Sequence, residues 1–174
     1  MPSLTPRLAW LGLAIACALL ATTSLVLTNW LDLDPCHLCI FQRLLFMLLA
    51  CLAALAAVTR GMGQAGRAPL LRGLFGALFC ALAMLGTAVA TYQSWLQAQP
   101  PDAASCLGGE PSLIERLVEW LGQQVPGLFM ATGFCEDKAL VIFGLSLANW
   151  ALVAFAVSLA SALWALWRGW RPGL

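Results

Sequence analysis

Cys36-His37-Leu38-Cys39-Ile40-Phe41-Gln42-Arg43 leads directly into residues 44–58, fifteen residues without a charge. That apolar run covers about 22 Å as a helix, short of the roughly 30 Å hydrocarbon layer of a bilayer. To cross, the helix must reach backwards through Arg43 and Gln42 to about Leu38, which sets Arg43 at the membrane boundary beside two cysteines. Outward from this stretch, three further uncharged runs have spanning length: 8 to about 28, 74 to about 92, and 139–167. The last is 29 residues long, more than one crossing needs, so its start reads as an interfacial segment leading into a span near Leu147. The fold expected is all-α, an integral membrane four-helix bundle forming one domain over 1–174, with spans about 8–28, 38–59, 73–92 and 147–167.

Composition agrees with this. Of 174 residues, 61% are hydrophobic and 10% charged, against roughly 25% charged in a soluble domain. Mean hydropathy is +0.86. A water-soluble globule and a disordered chain are both excluded. The net charge of +1 leaves no basic excess to bind nucleic acid.

Positive residues set the orientation, because short cytoplasmic connections are enriched in Lys and Arg. Six of the nine basic residues, Arg7, Arg60, Arg67, Arg72, Arg168 and Arg171, fall on one side; all eight acids fall in the other two connections. Both termini are therefore expected in the cytoplasm, with a cytoplasmic connection at about 60–72 and outer loops at about 29–37 and 93–146. The first apolar run is longer than a signal-peptide core and lacks a clear cleavage site, so it reads as a retained anchor. In the long loop, Ser112 and Glu115 form a capping box ahead of Leu113, Ile114, Leu117, Val118 and Leu121. This predicts a short amphipathic helix, lying on the outer membrane surface or packed on the span ends.

The seven cysteines divide by position. Cys17, Cys51 and Cys80 lie inside spans, where cysteine behaves as a small hydrophobe. Cys36, Cys39, Cys106 and Cys135 lie in or beside the two outer loops, on the side where paired thiols become disulfides. Cys36 and Cys39 form a C-x-x-C pair at a helix start. The helix N-terminus and Arg43, one turn on, both favour negative charge on Cys39, which makes a poised redox couple. Three other readings apply to the motif. Zinc could be held by Cys36, His37 and Cys39 with Cys106 or Cys135, although His37 between the thiols is poorly spaced for joint chelation. A structural disulfide would close too short a loop to stabilise much. A thiol-based metal-binding or transport protein is the rival from another functional class. Cys106 and Cys135, 29 positions apart, read either as a structural staple or, given Pro100, Pro101, Gly108 and Gly109, as a mobile site that meets a partner protein.

Pro35-Cys36-His37-Leu38-Cys39-Ile40-Phe41-Gln42-Arg43 after a first span, four spans in all, and a second outer cysteine pair closely resemble the disulfide bond formation protein B (DsbB) family. Gly133-Phe134-Cys135 before Phe143-Gly144-Leu145 resembles the family's approach to the fourth span. The resemblance covers essentially the whole chain. It implies a thiol:quinone oxidoreductase of the bacterial inner membrane, which regenerates a periplasmic DsbA-like thiol oxidase and passes electrons to ubiquinone or menaquinone. It implies that the partner attacks a Cys106–Cys135 disulfide at Cys106 and that Cys36 then exchanges with Cys135. Cys39 is released as a thiolate facing the quinone, and Arg43 stabilises it. No bound metal is implied. One departure stands out: family members carry a histidine near the outer end of span 3, where this chain has Tyr92-Gln93-Ser94, with Tyr92 or Ser94 as the candidate substitutes.

Overall fold

A computed structural model describes residues 4–61, 68–99, 112–135 and 140–170. Its long helices are α1 (Leu4–Trp30), α2 (His37–Gly61), α3 (Ala68–Leu96) and α6 (Leu147–Trp170), with the short α4 (Leu113–Gln124) and α5 (Pro126–Phe129) between α3 and α6. All four long helices are long and apolar enough to cross a membrane. They pack in a ring, α1 on α2, α2 on α3 and α3 on α6, while α1 and α6 meet far more sparsely.

The ring closes on aromatic and small residues. Trp10 meets Phe79 edge to face at 5.4 Å, and Phe46 stacks on Phe155 at 4.1 Å. Without a hydrophobic force between helices in lipid, close approach needs small side chains. Gly86 supplies it on α3, where an added Cβ would overlap the Phe155 ring. Gly86→Ala is expected to destabilise the bundle by about 1–3 kcal/mol through overpacking. Thermal unfolding in lipid nanodiscs reads this directly, and an unchanged Tm would show that Phe155 can step aside. At the end of the bundle away from the C-x-x-C motif, Arg60 lies 4.9 Å over the Trp10 ring, and Arg72 Nε donates to Thr59 O at 3.1 Å. The Thr59 carbonyl is one of those that the last turn of α2 leaves without a helical partner.

Two local features add to the sequence reading. The helix α3 continues to Leu96 and keeps Gln93 in the helix, 1% exposed. The lead-in to the fourth span contains a hairpin, β1 (Val141–Ile142) pairing antiparallel with β2 (Leu145–Ser146). Both residues of its turn have positive φ, 52° at Phe143 and 78° at Gly144, the geometry of a tight hairpin turn. Ser146 then caps α6, accepting from the Asn149 N–H at 3.4 Å and donating to Gln97 Oε1 at 2.6 Å. Within α4 the capping box forms as expected. The face turned inward is Ile114, Val118 and Leu121, with Val118 fully buried and the helix packed against α2, while Leu113 stands out at 85% exposed.

Candidate active site

The start of α2 brings sulfur chemistry and charge together. Cys36 immediately precedes the helix, and the helical turn it opens puts Cys39 back over it. The Cys36 thiol donates to Cys39 Sγ at 3.2 Å, and the Cys39 backbone N–H donates to Cys36 Sγ at 3.4 Å. One turn further, Arg43 is 3% exposed. Its Nε donates to Ser24 Oγ at 3.2 Å, Nη1 to Leu128 O at 3.0 Å, and Nη2 to Thr28 Oγ1 at 2.6 Å and Ser24 O at 3.4 Å. The guanidinium is thus pinned by neutral acceptors from α1 and α5, within electrostatic reach of Cys39 and not hydrogen-bonded to its sulfur. Among the described residues no carboxylate pairs with it.

Cys135 arrives from far along the chain. Its loop docks on the connection between α1 and α2: Thr132 and Gly133 N–H groups donate to Pro35 O at 3.0 and 3.2 Å, and Thr132 Oγ1 donates to Asp34 Oδ1 at 2.8 Å. Cys135 lies within interaction reach of the Cys36 thiol and of the Leu38 N–H. Cys36 therefore stands between two other sulfurs. Donating to Cys135 and Cys39, together with burial, pushes the Cys36 thiol well above the ordinary range. Accepting from Cys36 holds Cys135 below that range, with burial opposing and the Leu38 N–H assisting. Cys106, the fourth cysteine of the expected relay, lies outside the described residues.

Gly133 makes this docking possible, since a Cβ there would collide with the Asp34 carbonyl oxygen. Gly133→Ala is expected to push the Cys135 loop off Pro35 and slow Cys36–Cys135 exchange by roughly tenfold, the cost of about 1.4 kcal/mol. Quenched alkylation followed by peptide mapping measures the rate, and a wild-type rate would mean that the loop docks without this close contact.

The structure also assigns partners that the sequence pattern did not. Gln93 Nε2 donates to Cys39 Sγ at 3.0 Å and to Cys36 Sγ at 3.3 Å, and its Oε1 accepts from Gln42 Nε2 at 2.8 Å. Tyr92 and Ser94, the expected substitutes for the family histidine, do neither. Tyr92 is half-exposed and stacks with Trp95, and Ser94 Oγ donates back to Ala90 O. The available signal was a glutamine in phase with the apolar stripe of α3 that carries Phe79, Ala83 and Ala90. His37 points to Glu119, Nε2 to Oε1 3.9 Å. Among the described residues no group of three His, Cys, Asp or Glu could hold a metal ion. Cys17, Cys51 and Cys80 sit mid-helix, the first and last buried and Cys51 exposed.

The loose seam between α1 and α6 is a groove of about 1,210 Å³. Leu13 and Leu20 wall it from α1, Ala154 and Val157 from α6, and Cys36, Cys39 and Arg43 line its upper end. The arrangement can relay a thiol–disulfide exchange from Cys135 through Cys36 to Cys39, beside a fixed cation at the end of an apolar channel.

Comparison with known proteins agrees with this chemistry. The family model for disulfide bond formation protein DsbB matches residues 6–165. A disulfide bond formation protein B of Dechloromonas aromatica (strain RCB) is 41% identical over 162 residues, 92% of this chain and 93% of that protein. One from Azoarcus sp. (strain BH72) is 33% identical, covering 86% of each chain. Disulfide bond formation protein B 1 of Pseudomonas aeruginosa is 33% identical, covering 94% of this chain and 96% of its own. A match across nearly the whole chain, with the cysteine pair and its arginine at the head of a four-helix membrane bundle, shows that this chain belongs to the DsbB family of disulfide bond formation proteins.

Proposed function

We propose that this protein is a thiol:quinone oxidoreductase of the inner membrane. It oxidises a periplasmic DsbA-like dithiol by disulfide exchange and delivers the electrons to ubiquinone or menaquinone. Both termini are cytoplasmic and the cysteine-bearing loops periplasmic, which the segregation of Arg residues supports. The observation that carries the reading is the placement of Cys36 between Cys135 and Cys39 at the head of the groove.

The partner's thiolate attacks Cys106 of a Cys106–Cys135 disulfide, and Cys135 leaves as thiolate. The Leu38 N–H beside Cys135 favours that departure. Cys135 attacks Cys36: the Cys36–Cys135 bond forms, the Cys36–Cys39 bond breaks, and Cys39 takes the electron pair. The partner's second thiol releases it from Cys106 as an oxidised disulfide. Cys106 then recovers Cys135 and leaves Cys36 and Cys39 reduced. Quinone, when bound, supplies the sink, taking two electrons and two protons and leaving as quinol. The groove fits such a carrier, because its walls are mostly apolar and, among the described residues, the one basic side chain on its lining, Arg43, stands beside Cys39. Arg43 favours negative charge on Cys39 and would favour it likewise on a quinone held at the same end of the groove.

The test is stoichiometry. Chain reconstituted in nanodiscs with a reduced thioredoxin-like dithiol protein and a short-chain quinone is expected to form one quinol per partner disulfide over many turnovers. Retained zinc or mercuric ion without quinol formation would instead favour the thiol-based metal-binding reading.

A further inference from the structure

We propose that Gln93 is a catalytic hydrogen-bond donor to the Cys36–Cys39 couple, aimed by Gln42, which stabilises the reduced sulfurs with a neutral amide. The inference rests on the reading of Cys36–Cys39 as the redox couple and names a residue that acts on it. Gln93 is 1% exposed and Gln42 4%, so both amides lie where an unpaired polar group costs several kcal/mol. The pairing between them is directional. Gln42 Nε2 donates to Gln93 Oε1 at 2.8 Å, which turns the Gln93 NH₂ group to the sulfurs at 3.0 and 3.3 Å.

What this does follows from the difference between oxidation states. A disulfide sulfur is a weak acceptor, whereas a thiolate accepts a charge-assisted bond about twice as strong as a neutral one. The Gln93 donor therefore favours the reduced, negatively charged couple over the disulfide and makes the pair a stronger oxidant of Cys135. Arg43 contributes charge from the other side without a hydrogen bond to sulfur, so the two residues act by separate means. Because an amide does not titrate, the Gln93 donor is present at every pH in the neutral range, and any pH dependence of its effect comes from the sulfurs. Gln42 does not touch the sulfurs in this arrangement and is a positioning residue.

The experiment uses the full chain in quinone-free lipid nanodiscs, equilibrated in dithiothreitol redox buffers and read by alkylation and peptide mapping. Gln93→Leu is expected to shift the Cys36–Cys39 equilibrium about tenfold toward the disulfide, about 30 mV for two electrons, and to slow Cys39 alkylation by a similar factor. Gln93→His keeps a donor and is expected to restore the equilibrium while adding a break in the neutral range to the pH profile of alkylation, absent from the wild type. A folded Gln93→Leu variant with wild-type equilibrium and alkylation rate overturns the inference. If that variant does not fold, Gln93→His decides, and a profile without the added break overturns it. A wild-type Cys36–Cys39 pair that never exchanges with dithiothreitol overturns the functional reading itself, a result distinguishable from either.

Discussion

Cys36→Ser is expected to stop turnover while leaving one exchange intact. Cys36 is the sulfur between the outer loop and the groove, in contact with both Cys135 and Cys39. Serine keeps the volume and the hydrogen bonds and removes the one atom that can form the Cys36–Cys135 bond. Each chain carrying a Cys106–Cys135 disulfide then oxidises a single equivalent of partner and halts. Steady-state quinol formation falls to background, on the order of 10³-fold or more, as for loss of a nucleophile in other enzymes. Rapid-quench alkylation of the partner separates the single equivalent from turnover. Continued turnover would mean that electrons reach the groove by a path that avoids Cys36.

Arg43→Met is expected to act at the opposite end of the relay. The buried guanidinium donates to Ser24, Thr28 and Leu128 and brings positive charge to the head of the groove. A charge-assisted interaction with a developing anion is worth about 1.5–3 kcal/mol, so quinone reduction should slow by roughly 10- to 100-fold. The first exchange with partner should keep its rate. Arg43→Lys restores only part of the loss, because an ammonium cannot span acceptors on α1 and α5 as the planar fork does. Stopped-flow absorbance of quinone against single-turnover alkylation makes the comparison. Equal slowing of both steps would instead assign Arg43 to holding α1, α2 and α5 together.

Much of this architecture is legible in residue order because lipid imposes a simple rule. A charge-free run of spanning length has few alternatives, and the shortness of residues 44–58 already forces Arg43 to the boundary. Capping of α4 by Ser112 and Glu115 is local and reads directly. Gln93 was hidden because hydropathy falls after Tyr92, yet Trp95 and Leu96 carry α3 another turn and keep the glutamine inside. The hairpin was hidden because its turn pairs Gly144 with Phe143, a residue that rarely takes positive φ. The approach of Cys135 to Cys36 depends on Thr132 and Gly133 meeting Asp34 and Pro35, contacts between residues almost a hundred apart that leave no periodic trace. Ser24 and Thr28 likewise gain meaning only when α1 lies against Arg43.

The central claim is a directed transfer among four sulfurs, and disulfide mapping by mass spectrometry tests it most directly. Protein is trapped with acid and alkylated before and after addition of reduced partner, with and without quinone. The account predicts Cys36–Cys39 and Cys106–Cys135 bridges at rest, transient Cys106–partner and Cys36–Cys135 bridges as partner is added, free Cys36 and Cys39 beside a Cys106–Cys135 bridge after one equivalent is oxidised without quinone, and return to the resting pattern when quinone is supplied. A Cys36–Cys39 bridge that persists unchanged while partner is oxidised and quinone reduced would contradict it.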